Sequence, residues 1–306
     1  MLRPGVTVIV NTTAGASTDE SRAKISDAFA RARIDARLVA VDGAHVREAA
    51  EQAAAAGHTL IAAGGDGTVS TVAAVAVRTG AAFGVIPLGT RNHFARDAGI
   101  PLDVDAAVVA IADAHAAPLD TGELNTRTFV NNASIGFYAR IVRERQLEQQ
   151  RGHRKWIALA IGLARAWTGY RQITVRLTMD GRTLVRRTPF VFVGNGEYVD
   201  EGAALGRRTS LATGRLWIAL APQCGPVEML LMVLRALAGR LTPDVKLEEF
   251  RAVEVTIESG PRDAGVVMDG ELVPAKPPFT CAIRPRSLCT LGIAYAAKPG
   301  QEAQQP

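Results

Sequence analysis

Short apolar runs alternate with segments of helical period through the first part of the chain. Val6–Val10, Ala36–Val41, Thr59–Ala63 and Phe83–Pro87 are near-continuous apolar stretches bounded by turn residues, the pattern of strands buried on both faces. Between them Asp19–Arg33, His45–Ala56 and Thr68–Arg78 carry helix formers at helical spacing, and Val104–Ala114 predicts a further helix. Strand–helix alternation of this kind predicts a parallel sheet with helices on its faces. Ligands of such sheets bind at the carboxyl ends of the strands. Three turns fall at such ends: Asn11–Gly15, Gly64–Thr68 and Leu88–Asn92.

After Asp120-Thr-Gly-Glu123 the pattern changes. A strand-like run, Thr128–Ser134, precedes two helical stretches, Phe137–Gln150 and Lys155–Tyr170. Ile173–Met179 and Thr183–Val193 flank Asp180-Gly181, a two-residue hairpin signal. Arg215–Ala221, Ala252–Ser259, Val266–Met268, Phe279–Arg284 and Leu288–Ala294 also read as strands, interrupted by an apolar helix over Val227–Leu241. Many short strands with frequent turn signals predict an antiparallel β-sandwich. The expected organisation is an α/β domain over 1–121, a β-rich domain over 122–297 whose strand near 288–296 packs back on the first, and a disordered tail over 298–306.

Composition narrows the class. A chain of 306 residues, 48% hydrophobic and 21% charged, is ordinary for a globular enzyme. A net charge of +5 suits anionic ligands or an anionic membrane surface, and no basic tail or aromatic-interleaved basic stripe points to nucleic acid. Cys224, Cys281 and Cys289 have neither disulfide-framework nor zinc spacing, so they read as reduced, semi-buried thiols of a cytoplasmic protein. The amino terminus lacks the apolar core of a signal peptide, and no run is long enough for a transmembrane helix.

The candidate chemistry lies in Gly64-Gly65-Asp66-Gly67-Thr68, set between a strand and a helix. Glycines let the backbone approach a polyphosphate and aim several N–H groups at it, and the helix adds its positive end. Asp66 does not suit a bare phosphate site; it fits a polar network, a metal ion or a hydroxyl to be deprotonated. Gly89, Thr90 and Asn92 form a second candidate wall. Arg91 reads as a charge clamp or an exposed loop arginine, and Asn11 as a ribose or backbone contact or a strand-end turn residue. Asp269 and Glu271 are candidates for the base that accepts a hydroxyl proton. Asp-Gly is also a hairpin turn, and Met179-Asp-Gly181 repeats the local sequence of Met268-Asp-Gly270.

These motifs together resemble the diacylglycerol kinase catalytic-domain family in its bacterial lipid-kinase branch. The resemblance rests on Val10-Asn11 followed by Gly15, on Gly64–Thr68, on Pro87-Leu-Gly-Thr90 with Asn92, Phe94, Ala95 and Arg96, and on Met268-Asp-Gly-Glu271. It implies an N-terminal domain like phosphofructokinase or NAD kinase and a C-terminal β-sandwich. It also implies ATP and magnesium (Mg2+) as cofactors, phosphorylation of a lipid hydroxyl, and Glu271 as the base. The chain departs from the pattern at Thr12, Ser70, Thr71 and His93, and most of all at Ala212 and Thr213, where the family's metal loop carries aspartates. No residue set is therefore assigned to a protein-held metal.

The acceptor is expected to be a lipid or another alcohol. Trp156–Ala164 and Val227–Leu241 are apolar stretches with basic ends that suit either a core helix or peripheral contact with the inner face of a membrane. Two other readings stay open. NAD kinases share the Gly-Gly-Asp-Gly element, and Asn131–Phe137 resembles their later glycine loop; loss of the metal aspartates suits a nucleotide- or lipid-binding regulator.

Overall fold

Fully buried Val8, Ile9 and Val10 make β1 (Val6–Asn11) an interior strand of a computed structural model that describes residues 5–13, 18–113, 115–168, 170–198, 208–221, 223–229, 231, 247–260 and 265–293. The chain divides into two units, one comprising residues up to Leu119 with those from Leu288 onward, the other Asp120–Ser287.

In the first unit β1 is followed by α1 (Asp19–Arg31), β2 (Ala36–Val41), α2 (Val46–Ala55), β3 (Thr59–Gly64), α3 (Asp66–Thr79), β4 (Phe83–Pro87), α4 (His93–Asp97) and α5 (Val104–Ala112). The strands are parallel in the order β2-β1-β3-β4, with Val8 facing Leu38 on one side and Ile61 on the other. Local chemistry sets the helix ends. Thr18 and Ser21 form a reciprocal capping box at α1, the Asp103 side chain caps α5, and left-handed Gly80 (φ 66°) stops α3. Phe29, Ile25, Val108 and Ile111 from the helices pack with Val8, Val10, Ile61 and Ile86 from the sheet.

The second unit contains most of β5 (Ala116–Leu124), which crosses the division, and then β6 (Arg127–Phe129), β7 (Asn132–Gly136), α6 (Phe137–Gln150) and α7 (Lys155–Thr168). There follow β8 (Ile173–Met179), β9 (Arg182–Thr188), β10 (Phe190–Asn195), β11 (Glu197–Tyr198), β12 (Arg208–Ser210), β13 (Leu216–Leu220), β14 (Glu248–Ala252), β15 (Glu254–Ser259), β16 (Gly265–Met268), β17 (Glu271–Pro274) and β18 (Phe279–Leu291). The last strand also crosses the division, and its Thr290 pairs in parallel with Phe83 of β4. One antiparallel layer runs β18-β15-β8-β9, the other β14-β13-β10-β7-β16-β17. Val175, Leu177, Val255, Ile257 and Phe279 of the first layer meet Ile135, Val191, Val193, Ile218 and Val266 of the second in one core, which makes a β-sandwich. No helix among the described residues is long and apolar enough to cross a membrane.

Several strand expectations are corrected. The predicted run Thr183–Val193 breaks at Pro189, which has no N–H to give a ladder: β9 pairs with β8 in one layer, and β10 pairs with β7 and β13 in the other. Thr128–Ser134 breaks at Val130-Asn131, whose amides bond a side chain instead of a strand. Phe279–Arg284 and the start of Leu288–Ala294 fuse into one strand through left-handed Arg286 (φ 55°). β5 and β14 have no clear apolar alternation (AAPLDTGEL and EEFRA) and were not expected. Cys289 is exposed rather than semi-buried. Gly15, most of the Val227–Leu241 helix, the end of the last strand at Ala294 and the 298–306 tail lie outside the described residues.

Candidate functional site

In the first unit β3 runs into α3 with only Gly65 between them, so the Gly64–Thr68 motif is the junction itself. The first-turn amides of a helix have no intrahelical partners and present positive charge outward. A side chain at Gly64 would place its Cβ 2.6 Å from Thr68 Oγ1, and one at Gly89 would lie 2.6 Å from the Cα of Gly65. The β3–α3 turn and the loop after β4 therefore meet through bare backbone.

Asn92 holds the second loop. It is left-handed (φ 50°), a conformation asparagine tolerates. Its Oδ1 accepts the Gly89 N–H at 2.9 Å, and its Nδ2 donates to the Gly89 carbonyl at 2.8 Å. The expected phosphate wall thus uses Asn92 to shape its own loop, while Thr90, Arg91 and His93 are exposed beside it. Asn11, at the end of β1, donates from Nδ2 to Thr68 Oγ1 at 2.9 Å and accepts from the Thr13 amide and hydroxyl. Asn11, Gly64–Thr68 and Gly89–Asn92 are thereby gathered at the carboxyl ends of β1, β3 and β4. Asp66 opens α3, and its Oδ1 is buried without a hydrogen-bond partner among the described residues. A buried orphan carboxylate oxygen is costly unless a further group meets it. It suits the cation that accompanies a nucleotide triphosphate, or a hydroxyl.

The second unit holds Asp269 and Glu271. Asp269 (φ 50°) and Gly270 (φ 86°) form a two-residue hairpin between β16 and β17, with both residues left-handed as in a type I′ turn. Asp180 (φ 47°) and Gly181 (φ 76°) turn β8 into β9 in the same way, so local sequence and local backbone agree in both places. Their surroundings differ. Asp180 is exposed, whereas the Asp269 carboxylate accepts the amides of Val130 at 2.9 Å, Asn131 at 2.8 Å and Asn132 at 3.0 Å. Asp269 is thus a clamp on the β6–β7 connection. Glu271, two residues on, is exposed, and its side chain makes no hydrogen bond or ion pair among the described residues.

The loop at Ala212 and Thr213 does not fit a metal. The Gly214 N–H donates to Asp120 Oδ2 at 2.7 Å, and the Arg286 N–H occupies Asp120 Oδ1 at 2.8 Å. Thr213 Oγ1 is bonded within its own turn, to Arg215. Among the described residues no group of three or more His, Cys, Asp or Glu side chains could hold a cation. Asp120, Asn195 and Arg208 were not singled out from sequence; Asn131 entered only as the start of the Asn131–Phe137 run, and the polar pair Asn131-Asn132 in a strand-like stretch was a further hint.

Comparison with known proteins agrees with this architecture. The diacylglycerol kinase catalytic domain model matches residues 5–124, and the YegS C-terminal NAD kinase beta sandwich-like domain model matches residues 131–292. A Pseudomonas aeruginosa protein named probable lipid kinase YegS-like is 41% identical over 129 residues, covering 41% of this chain and 42% of that protein. The match therefore spans less than half of that relative's length. A Xanthomonas oryzae pv. oryzae protein of the same name is 30% identical over 227 residues, 68% of this chain and 71% of the relative. The fold is shared with a diacylglycerol kinase from Bacillus anthracis, at TM-score 0.71 and 22% identity over 95% of this chain and 97% of that one. It is shared more distantly with yeast NADH kinase complexed with NADH, at TM-score 0.50 and 10% identity over 94% and 83%.

Proposed function

The chain belongs to the diacylglycerol kinase catalytic-domain family, in its YegS-like bacterial branch, and we propose that it transfers the γ-phosphoryl group of ATP to a hydroxyl of a diacylglycerol-like lipid. The observation that carries the nucleotide half is the buried, unpartnered Asp66 Oδ1 at the head of α3, beside two loops that touch through Gly65 and Gly89. Phosphoryl transfer asks a protein for positioning and charge neutralisation more than for covalent chemistry. When bound, ATP supplies the phosphoryl group, and its magnesium ion neutralises the phosphate oxygens. The first-turn amides of α3 bind the phosphates, with Gly64, Gly65, Gly67 and Thr68 as the floor and Gly89 and Thr90 as the wall. Asp66 would hold the ion through the oxygen that has no partner among the described residues. Arg91, exposed on the same loop, is the proposed clamp on the phosphates. Glu271, exposed and with no side-chain partner among the described residues, takes the proton of the acceptor hydroxyl, and Asp269 fixes the turn that carries it.

A lipid acceptor brings the protein to a membrane surface. Support for peripheral contact is the α6–α7 hairpin, where Tyr138, Leu147 and Ile157 are exposed together with Arg143, Arg151 and Arg154.

The test is transfer from γ-labelled ATP with Mg2+ to a mixed-lipid extract and, separately, to NAD. A labelled lipid is expected. Labelled NADP would replace this reading with a metabolite kinase, and no product despite ATP binding would replace it with a binding protein. Asp66→Ala and Glu271→Ala are each expected to lower kcat by about 10²–10⁴-fold without a fall in Tm. Wild-type turnover in both would remove the residue assignment.

A further inference from the structure

The segment gripped by Asp269 is gripped from its other side by a buried arginine. Arg208 opens β12 and is 4% exposed. Its Nη1 donates to the Val130 carbonyl at 2.6 Å and the Asn195 carbonyl at 3.2 Å, and its Nη2 donates to Asn131 Oδ1 at 2.7 Å. The guanidinium carbon lies 5.8 Å from the Tyr198 ring centroid, and that ring stacks on Trp217. Val130 C=O and Asn131 N–H belong to one peptide group. That peptide therefore points its oxygen at the Arg208 cation and its hydrogen at the Asp269 carboxylate. The next peptide is held in the same sense: the Asn131 carbonyl accepts from Tyr198 Oη at 2.9 Å and from the Asn195 amide at 2.9 Å, while the Asn132 N–H goes to Asp269. Asn195 Nδ2 ties the Val130 carbonyl to the Asp120 carbonyl, and the Asp120 carboxylate binds the 213–215 loop through the Gly214 N–H.

We propose that Arg208 is the positioning residue of the Asp269-Gly270-Glu271 turn, a resident cation that orders this part of the second unit without a metal in the 211–215 loop. The Val130–Asn131 peptide dipole is aligned between a fixed positive charge and a fixed negative charge, the next peptide gives its N–H to the same carboxylate, and each hydrogen bond in such a chain polarises the next. The planar fork of arginine reaches three separate oxygens at once, which a lysine ammonium on a flexible stem does not reproduce. Asn195 is fully buried and its Oδ1 has no partner among the described residues, so a cation that joined the network would have one oxygen waiting for it. Both oxygens of the Asp120 carboxylate are already engaged by amides.

The thermal part of the proposal stands without the kinase reading, and only its kinetic part rests on that reading. The full-length protein is melted without nucleotide, in millimolar Mg2+ or in chelator, as wild type, Arg208→Lys and Arg208→Met. The wild-type Tm is expected to be the same in both buffers. Arg208→Met should lower it by about 5–10 °C, with no recovery in Mg2+. If a lipid product has been found, Arg208→Met should lower kcat at least about tenfold with the KM for ATP unchanged. Arg208→Lys keeps the charge but not the planar fork and should lose part of the Tm and part of kcat, again with the KM for ATP unchanged; it serves as the probe if the methionine variant does not fold. A rise of several degrees in wild-type Tm with Mg2+ alone would overturn the proposal. So would an Arg208→Met protein with unchanged Tm, or one whose kcat is unchanged. Absence of any kinase product would end the functional reading and leave the thermal comparison to decide the role of Arg208.

Discussion

A methyl group at position 89 would fall 2.6 Å from Gly65 Cα, backbone that cannot swing aside, whereas one at position 65 would sit 3.5 Å from Gly89 Cα, an ordinary contact. The two glycines of this loop pair are therefore unequal. Gly89→Ala should separate the loops and raise the KM for ATP by about tenfold or more; Gly65→Ala should change it far less, and Gly65→Val should block the phosphates by bulk. ATP titration of the three variants checks the order, and equal affinities would remove the phosphate-floor assignment. The sequence marked both glycines but not their asymmetry, because that depends on which backbone faces which. Asp66 shows the same limit. Its place at a strand–helix junction is legible in the chain; its orphan oxygen is a matter of burial. Cysteine reactivity follows from burial in the same way. Cys281 lies in the sandwich core, and burial pushes its thiol up to about 12, while Cys289 is exposed. A thiol-specific reagent should label Cys289 in the native protein and reach Cys281 only on unfolding of the second unit.

At the scale of elements, alternation and turn chemistry carried most of the fold. β2, β4, β8 and α6 have the bounds that the pattern predicts. The departures each have a local cause, such as Pro189 handing the chain from one layer to the other. The start of α2 makes a pH prediction. Asp42 accepts the amides of Ala44 and His45 and faces the His45 ring at 2.7 Å. The hydrogen bond to Asp42, and then its charge, hold the His45 imidazole above the usual histidine value, while the same bond holds the Asp42 carboxyl below the usual carboxylate value. A pKa raised by folding means that the native state keeps its proton longer. The stabilisation from His45 is thus full below about pH 6.5 and fades as pH rises through the raised value. NMR titration should place the His45 midpoint above that of an unstructured peptide, and Asp42→Asn should bring it down.

On the scale of the molecule, each unit has its own core, and each candidate motif is built by its own unit. The candidate phosphate loops come from short-range geometry: a strand, a turn and a helix in sequence order, with neighbouring loops brought together by parallel pairing. The carboxylate motif is built differently. Its clamp partners at Val130–Asn132 lie 137 to 139 residues earlier in the chain, and the opposing Arg208 comes from a third segment. Replacing Asp269 should therefore affect stability as well as turnover, whereas replacing exposed Glu271 should affect turnover alone; melting and kinetics on the two variants separate the roles.

The strand–helix alternation of the first unit, its parallel sheet, the sandwich, the glycine junction and both Asp-Gly turns were determined by the sequence alone. Each is written in periodicity or in the backbone preference of one or two residues. Tertiary structure alone decided which of the two Asp-Gly turns is clamped, that Asn92 serves its own loop, that the loop at Ala212 and Thr213 gives an N–H to Asp120 in place of carboxylates to a metal, and that Arg208 faces Asp269 across the Val130–Asn131 peptide group. The reason is physical. A local pattern encodes conformation and which face is buried, but a hydrogen-bond partner is chosen only when segments far apart in the chain are brought within 3 Å or so of each other.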